Sequence, residues 1–352
     1  MRSTLLLIPV HGRVELGPLG DVPLFGPGLL LGLWLAFGGV LLVWRLLRWG
    51  WKGIDLGNVV SWALVSAAIF YLPQFVDPKN PFIPIYGYGA MLFVGFLTGT
   101  TIAAARLQRA GISGEVAWDV AMWIFVAGIL GSRLFFVAQY HDRFFIPGES
   151  LADTFRRLIN LPDGGLVFYG GLILGSIAYV LFCRTRRVRP LALGDFLVTS
   201  VFVGYAFGRL GCFLNGCCFG DYCELPWAVT FPSNSVPWKS QVFEGFLSAE
   251  AVRSLPVHPT QVYSTLGAFL LAGFTWAYHP YRRHDGEVLA LGMLAYPINR
   301  FLVEFLRGDE LGQFGTMFTI SQWVSVGLFL TGLLLYIAIL VRAGRPRALA
   351  IT

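Results

Sequence analysis

Charge is what this chain has least of. Only 13% of its 352 residues are Asp, Glu, Lys or Arg, against about a quarter in soluble domains, and that excludes two ordinary soluble domains. Histidine is scarce too, five in all, so a zinc site of mixed histidine and cysteine has few ligands to draw on. After Arg2 the apolar TLLLIPV is short and no small-residue cleavage site follows it, so a secretory signal is not expected. The net charge of +6 is spread over the flanks of apolar segments. It suits anionic lipid headgroups and gives no reason to expect nucleic acid.

What the chain has is apolar length. With 56% hydrophobic residues, it reads as an all-α polytopic membrane protein. Nine spans are expected: Pro27 to Trp44, Val59 to Phe75, Tyr88 to Ala105, Trp118 to Val137, Leu166 to Phe182, Phe196 to Leu214, Val262 to Ala277, Val288 to Leu306 and Phe318 to Val341. Basic residues follow every odd-numbered span, among them Arg45 and Arg48, Arg106 and Arg109, Arg184 and Arg187, Arg282 and Arg283, then Arg342, Arg345 and Arg347. The positive-inside rule then places the N-terminus outside and the C-terminus in the cytoplasm. The longest polar stretch, 219–258, is expected to form a small external head. VPLFGPGLLLGLWL from Val22 and IPIYGYGAMLFVGF from Ile83 share a pattern of proline, aromatic and glycines before an apolar helix.

Polar residues interrupt the apolar spans at a few points. Arg133, Arg209 and Arg300 fall within spans or at their ends. An arginine at the bilayer centre costs roughly 2.5–3.5 kcal/mol and usually faces a wet cavity or a partner, although one near an interface can snorkel. GRLGCFLNGCCFG, 208–220, places Arg209, Gly211 and Asn215 beside three cysteines. VHPTQVYS carries His258, Gln261 and Tyr263 into a span, and Arg300 has Glu304 one turn on, followed by Arg307. Tyr88 and Tyr169 stand among glycines at span starts. With this topology, Tyr88, Tyr169, Arg209, Asn215, His258, Arg300 and Arg307 share the external half of the membrane. Arginine forks with tyrosine and asparagine donors match a phosphate, which at a bilayer face belongs most simply to a phospholipid.

Cys212, Cys217, Cys218 and Cys223 crowd together, but C-x4-C-C-x4-C is not a usual zinc spacing. No metal and no cofactor is expected from it. A disulfide joining Cys223 to Cys217 or Cys218 suits an oxidising face, and the cluster reads as structural.

In their order and spacing, YGAMLFVGF, DGGLVFYGG, GRLGCFLNG, HPTQVY and RFLVEFLRGD resemble the prolipoprotein diacylglyceryl transferase family. The likeness runs from about Tyr86 to Arg342. It implies a seven-helix core, 86–342, preceded by a two-helix extension, 1–85, and followed by a cytoplasmic tail, 343–352. It also implies a bacterial inner-membrane transferase. Such an enzyme moves diacylglyceryl from phosphatidylglycerol to the lipobox cysteine of preprolipoprotein signal peptides and releases glycerol phosphate. Arg209 and Arg300 become phosphate ligands, with His258 or Tyr169 as base. Tyr88, Gly211, Asn215, Gln261, Tyr263, Glu304, Arg307 and Arg133 become binding contacts. The sequence departs from the family pattern at Tyr169, where a histidine is usual, and at Cys212 and Cys217, in place of Asn and Glu. A transporter for an anionic solute and a non-catalytic lipid-binding protein are the competing readings.

Overall fold

The computed structural model describes residues 4–10, 12–15, 21–50, 56–75, 82–146, 149–159, 164–307, 312–313 and 315–342. The expected tail 343–352 and the flanking charges Lys52, Asp163, Asp309 and Glu310 lie outside the described residues. The chain falls into two compact units, Arg2–Gly89 and Ala90–Thr352.

In the first unit, β1 (Thr4–Pro9), β2 (Arg13–Glu15) and β3 (Asp21–Pro23) precede α1 (Leu29–Trp49) and α2 (Leu56–Phe75), and β4 (Phe82–Tyr86) closes it. β1 pairs antiparallel with β4, and β2 with β3. These two ribbons depart from an all-helical reading: the proline-rich approaches to the helices are extended, as proline disfavours helix in the residue before it. The two similar motifs thus share a local structure, each a paired strand leading to a helix. α1 meets α2 where Gly38 lies against the Trp62 ring, with Trp34 and Trp62 centroids 6.3 Å apart.

α3 (Gly87–Arg109) leads into the second unit. There follow α4 (Glu115–Gln139), α5 (Leu151–Ile159), α6 (Phe168–Thr185), α7 (Pro190–Asn215), α8 (Val236–Phe243), α9 (Thr260–Tyr278), α10 (Glu287–Glu304) and α11 (Ile320–Arg342). The nine expected spans correspond to α1, α2, α3, α4, α6, α7, α9, α10 and α11. Among the described residues, six helices are long and apolar enough to cross a membrane by length and composition alone: α1, α3, α4, α6, α7 and α11. α9 and α10 fall below that standard because they carry the polar groups of the interior, including Gln261, Thr265, Glu287, Arg300 and Glu304. The outer faces are apolar instead, as at Leu270, Leu334 and Val341. Such inversion is what lipid as solvent asks for: a multi-pass membrane protein packs by shape and polar contact, not by hiding apolar surface.

Helix pairing follows from small residues and caps. α4 and α6 touch backbone to backbone at Gly131 and Gly170, where any Cβ would meet the opposing carbonyl. α7 starts with Pro190 in its first turn and stops at Gly216, whose φ of 75° is the left-handed cap that glycine favours. α7 packs on α9 and α10, and α10 on α11. Near the start of α7 the fully buried Asp195 accepts the Gly286 N–H at 2.8 Å and the Leu289 N–H at 2.9 Å. It caps the N-terminus of α10 from another helix, with Arg282 Nε 3.7 Å away.

The head, 219–258, folds around Phe219, Phe231 and Val257. Single bridges join Tyr222 and Val229 to Val257, and α8 lies across the same segment.

Asp195→Ala leaves the Gly286 and Leu289 N–H groups without their acceptor and removes the carboxylate beside Arg282. It should cost on the order of 3 kcal/mol in unfolding measured in detergent micelles. Asp119→Ala, which removes an exposed partner of Arg186, should cost less than about 1 kcal/mol. Equal losses would contradict the cap.

Candidate active site

The site assembles where α7 and α10 end and α9 and α11 begin. Arg209 lies in the last two turns of α7 and donates from Nε to Tyr205 Oη at 2.9 Å, one turn earlier on the same face. Its guanidinium carbon is 5.1 Å from that ring's centroid. Tyr205 meets Tyr296 of α10 edge-on, with centroids 5.4 Å apart, and Tyr296 is one turn before Arg300. Two aromatic rings therefore connect the helix turns that carry Arg209 and Arg300.

Arg300 is buried and donates to Glu304 from Nη1 and to Ser321 Oγ from Nη2, the latter at 2.8 Å. Glu304, 2% exposed, also accepts Thr319 Oγ1–H at 2.9 Å and has Arg307 Nη1 at 3.6 Å. One carboxylate thus gathers two arginines and the start of α11. Among the described residues two guanidinium groups face this one carboxylate, and Arg209 brings a third guanidinium to this end.

Cysteines complete the cluster. The sulfurs of Cys212, Cys217 and Cys218 lie within 4.8 Å of one another. Spacing alone hid this, because Gly216 turns the chain back and Cys218 adopts φ 58°, a left-handed conformation rare for a side-chain-bearing residue. All five cysteines are free thiols, and Cys223 is buried apart from the trio with its N–H on Pro256 O at 3.1 Å. The expected pairing of Cys223 with Cys217 or Cys218 is therefore not formed. In the loop beyond α7, the Cys218 thiol is held below its ordinary value, first by bonding from Cys212 and Cys217 and then by the Arg209 and Arg307 charges.

The segment before α9 clamps this loop. Gln261, completely buried, donates to Cys217 O at 2.8 Å, and Thr260 Oγ1 donates to Cys218 O at 2.8 Å. His258 accepts the Gly220 N–H on its carbonyl at 2.9 Å, and its Nδ1 faces Tyr263 Oη at 3.3 Å. Tyr263 Oη in turn accepts Trp227 Nε1–H from the head at 2.7 Å. Gly211 is buried inside α7, and Asn215 is exposed at its end.

Two expected contacts meet other partners. Arg133 reaches the carbonyls of Arg157, Leu158, Gly164 and Gly165 at 2.6–3.1 Å. It clasps the end of α5 to the 164–165 turn, with Phe136 and Phe144 rings against its guanidinium. Tyr169, 40% exposed, opens α6 edge-on to Phe168, at 5.9 Å between centroids. Tyr88 belongs to the first unit, where it opens α3. Sequence reasoning missed Tyr205, Tyr296, Thr319 and Ser321. The four-residue spacing of Tyr205 to Arg209 and of Tyr296 to Arg300 was the available signal; Thr319 and Ser321 arrive only through helix packing.

A second basic cluster occupies the opposite end of the bundle. A cavity of about 300 Å³ is lined by Arg106, Arg109, Phe196, Trp276, His279 and Arg282. Burial and the charges of Arg106 and Arg282 push His279 down to about 3, so its imidazole is neutral there.

The family model for prolipoprotein diacylglyceryl transferase matches residues 78–338. A phosphatidylglycerol–prolipoprotein diacylglyceryl transferase of Clostridium tetani is 32% identical over 254 residues, 72% of this chain and 93% of the relative. One from Polynucleobacter asymbioticus is 31% identical over 273 residues, 75% of this chain and 95% of the relative. Another, from Rhodopirellula baltica, is 27% identical over 438 residues and covers 93% of this chain and 87% of the relative. That last likeness extends beyond the residues of the family match.

Glu304→Ala strands buried guanidinium charge and should cost about 3–5 kcal/mol of stability. The double replacement Arg300→Met with Glu304→Leu removes both charges and should recover most of it. Thermal unfolding of the single and double variants checks this; simply additive losses would show that the two residues are not energetically paired.

Proposed function

The chain belongs to the prolipoprotein diacylglyceryl transferase family, and from that premise we propose that it transfers diacylglyceryl from phosphatidylglycerol to the lipobox cysteine thiol of preprolipoproteins. The observation that carries the site assignment is the pairing of Arg300 and Arg307 with the buried Glu304 carboxylate, joined through the Tyr205 and Tyr296 rings to the helix turn that carries Arg209. Among the described residues, guanidinium groups outnumber carboxylates in these contacts.

The reaction needs two things from the protein. The leaving phosphate gains charge as its bond to the glycerol carbon breaks, so guanidinium groups that hold it lower the barrier. Arg209 and Arg300 take that role, with Arg307 beside them. Glu304 positions Arg300 and Arg307 and keeps their charge buried. Tyr205 and Asn215 complete the headgroup's surroundings. Gln261, Thr260 and His258 act on the loop that carries the thiols, and Tyr263 ties that loop to the head. Arg133 acts as the clasp its four carbonyl contacts describe. The attacking sulfur must also lose its proton, because the thiolate is the nucleophile.

The reading places this end outside a bacterial cytoplasmic membrane, with the N-terminus outside and the C-terminus inside. Residues 1–85 form an extension, 86–342 the transferase core with the head 219–258, and 343–352 the tail. Impermeant thiol labelling of a cysteine placed at Ser233 in the head should succeed from outside intact spheroplasts. Labelling only after lysis would reverse the orientation and the site with it.

The reaction is tested with purified protein, phosphatidylglycerol and a lipobox peptide, reading the diacylglyceryl thioether by mass spectrometry. Arg209→Gln and Arg300→Gln should each lower the rate between about tenfold and a few hundredfold while remaining folded, the loss of charge-assisted bonds made in the transition state. Arg209→Lys should recover little, since an ammonium lacks the planar fork. Arg184→Gln, on an exposed flank, should leave transfer unchanged. Near-normal transfer by folded Arg209→Gln would remove Arg209 from the site.

A further inference from the structure

The three thiols make an arrangement that the phosphate site does not use. Cys212 lies in the last turn of α7, three residues after Arg209 and so on the same face of the helix. Gly216 reverses the chain, and Cys217 and Cys218 return toward Cys212, the Cys217 N–H reaching the Cys212 carbonyl at 3.2 Å. The return is held in place. Thr260 and Gln261, both essentially without exposure, grip the carbonyls of Cys218 and Cys217, and Cys218 keeps a left-handed backbone in consequence.

A loop fixed in this way presents three sulfurs within 4.8 Å of one another. A zinc–thiolate bond is about 2.3 Å, so three thiolates on one tetrahedral ion stand about 4 Å apart, and the trio needs only slight closure. No histidine or carboxylate joins the cluster among the described residues. Three protein ligands with an open fourth position is the composition of a catalytic zinc centre, whereas structural centres are closed by four. Soft thiolates select zinc over magnesium or calcium. The three cysteines are each partly exposed, which leaves the open position a way in.

We propose that Cys212, Cys217 and Cys218 bind a zinc ion whose fourth position takes the lipobox cysteine thiol, an inference that rests on the transfer reaction proposed above. A thiol that coordinates zinc is deprotonated outright, which supplies the activation the transfer needs. The substrate S–H releases its proton to water as the sulfur binds the metal. That sulfur's electron pair then forms the C–S bond to the glycerol carbon. The C–O bond to phosphate breaks, and glycerol phosphate leaves with the bonding pair, its charge held by Arg209 and Arg300. Four thiolates on a divalent ion carry two negative charges, which the guanidinium groups of Arg209 and Arg307 offset.

The test uses the full-length protein in detergent micelles, stripped with a chelator and titrated with Co²⁺ in place of zinc. One equivalent should produce thiolate-to-cobalt charge-transfer absorption and the intense visible bands of a tetrahedral ion. A lipobox peptide should shift the visible bands, and the same peptide with serine for cysteine should not. Cys217→Ser and Cys218→Ser should each weaken cobalt binding by more than about tenfold, while Cys223→Ser, outside the trio, should leave it unchanged. Should those variants fail to fold, the unsubstituted protein's spectrum and its response to peptide still decide. No thiolate–cobalt band, or a disulfide within the trio of the protein as isolated, together with transfer that survives chelation, would overturn the zinc site and leave the transfer reaction standing. Peptide-responsive cobalt bands in a protein that moves no diacylglyceryl from phosphatidylglycerol would support the thiol site and overturn the lipid donor instead.

Discussion

A carboxylate buried between helices must be compensated, or the bundle would not form around it. Glu304 is compensated by Arg300, Arg307 and Thr319 at once, and the arrangement of this end of the protein follows from that. Thr319 brings the start of α11 to the end of α10, and Ser321 extends the contact to Arg300. Among the described residues, one carboxylate faces two guanidinium groups here. An environment that has already met the desolvation cost of these cations offers an anion preorganised donors and little competing water, where electrostatic stabilisation is strongest. Fold stability and anion affinity therefore draw on the same residues, and Glu304 sets the balance between them.

Asp195 plays the corresponding part at the other end of the bundle, about 21 Å before Arg209 along α7 by helix rise. Its carboxylate caps α10 and faces Arg282. α10 is thus fixed at its start through Asp195 and at its finish through Glu304. Between these two anchors the interior uses hydroxyl pairs and close backbone contacts, such as Thr199 with Thr275 at 3.0 Å. That is consistent with a solvent that gives no hydrophobic reward for helix contact.

The helices were legible because lipid imposes both length and apolarity on a span. Even α9 and α10, which are too polar to qualify by composition, stood out through their flanking charges and motifs. Arg209, Arg300 and Glu304 were legible because charge within an apolar run needs a reason. The cysteine trio was not, since its proximity depends on two left-handed residues and on clamps from 42–44 residues further along the chain. Nor was the fate of Arg133, whose carbonyl partners at 157–158 and 164–165 lie 24–32 residues further along the chain. The two small ribbons escaped because their proline-bearing strands lack the alternation that marks a half-buried sheet.

Two basic clusters stand at opposite ends of one bundle, and the account claims that the lipid phosphate reacts at only one of them. A short-chain phosphatidylglycerol bearing a photoreactive group on its glycerol headgroup distinguishes the two. After illumination and digestion, the account predicts adducts in 205–218 and 296–321, suppressed by unlabelled phosphatidylglycerol. Adducts confined to the residues around Arg106, Trp276 and Arg282 would contradict it.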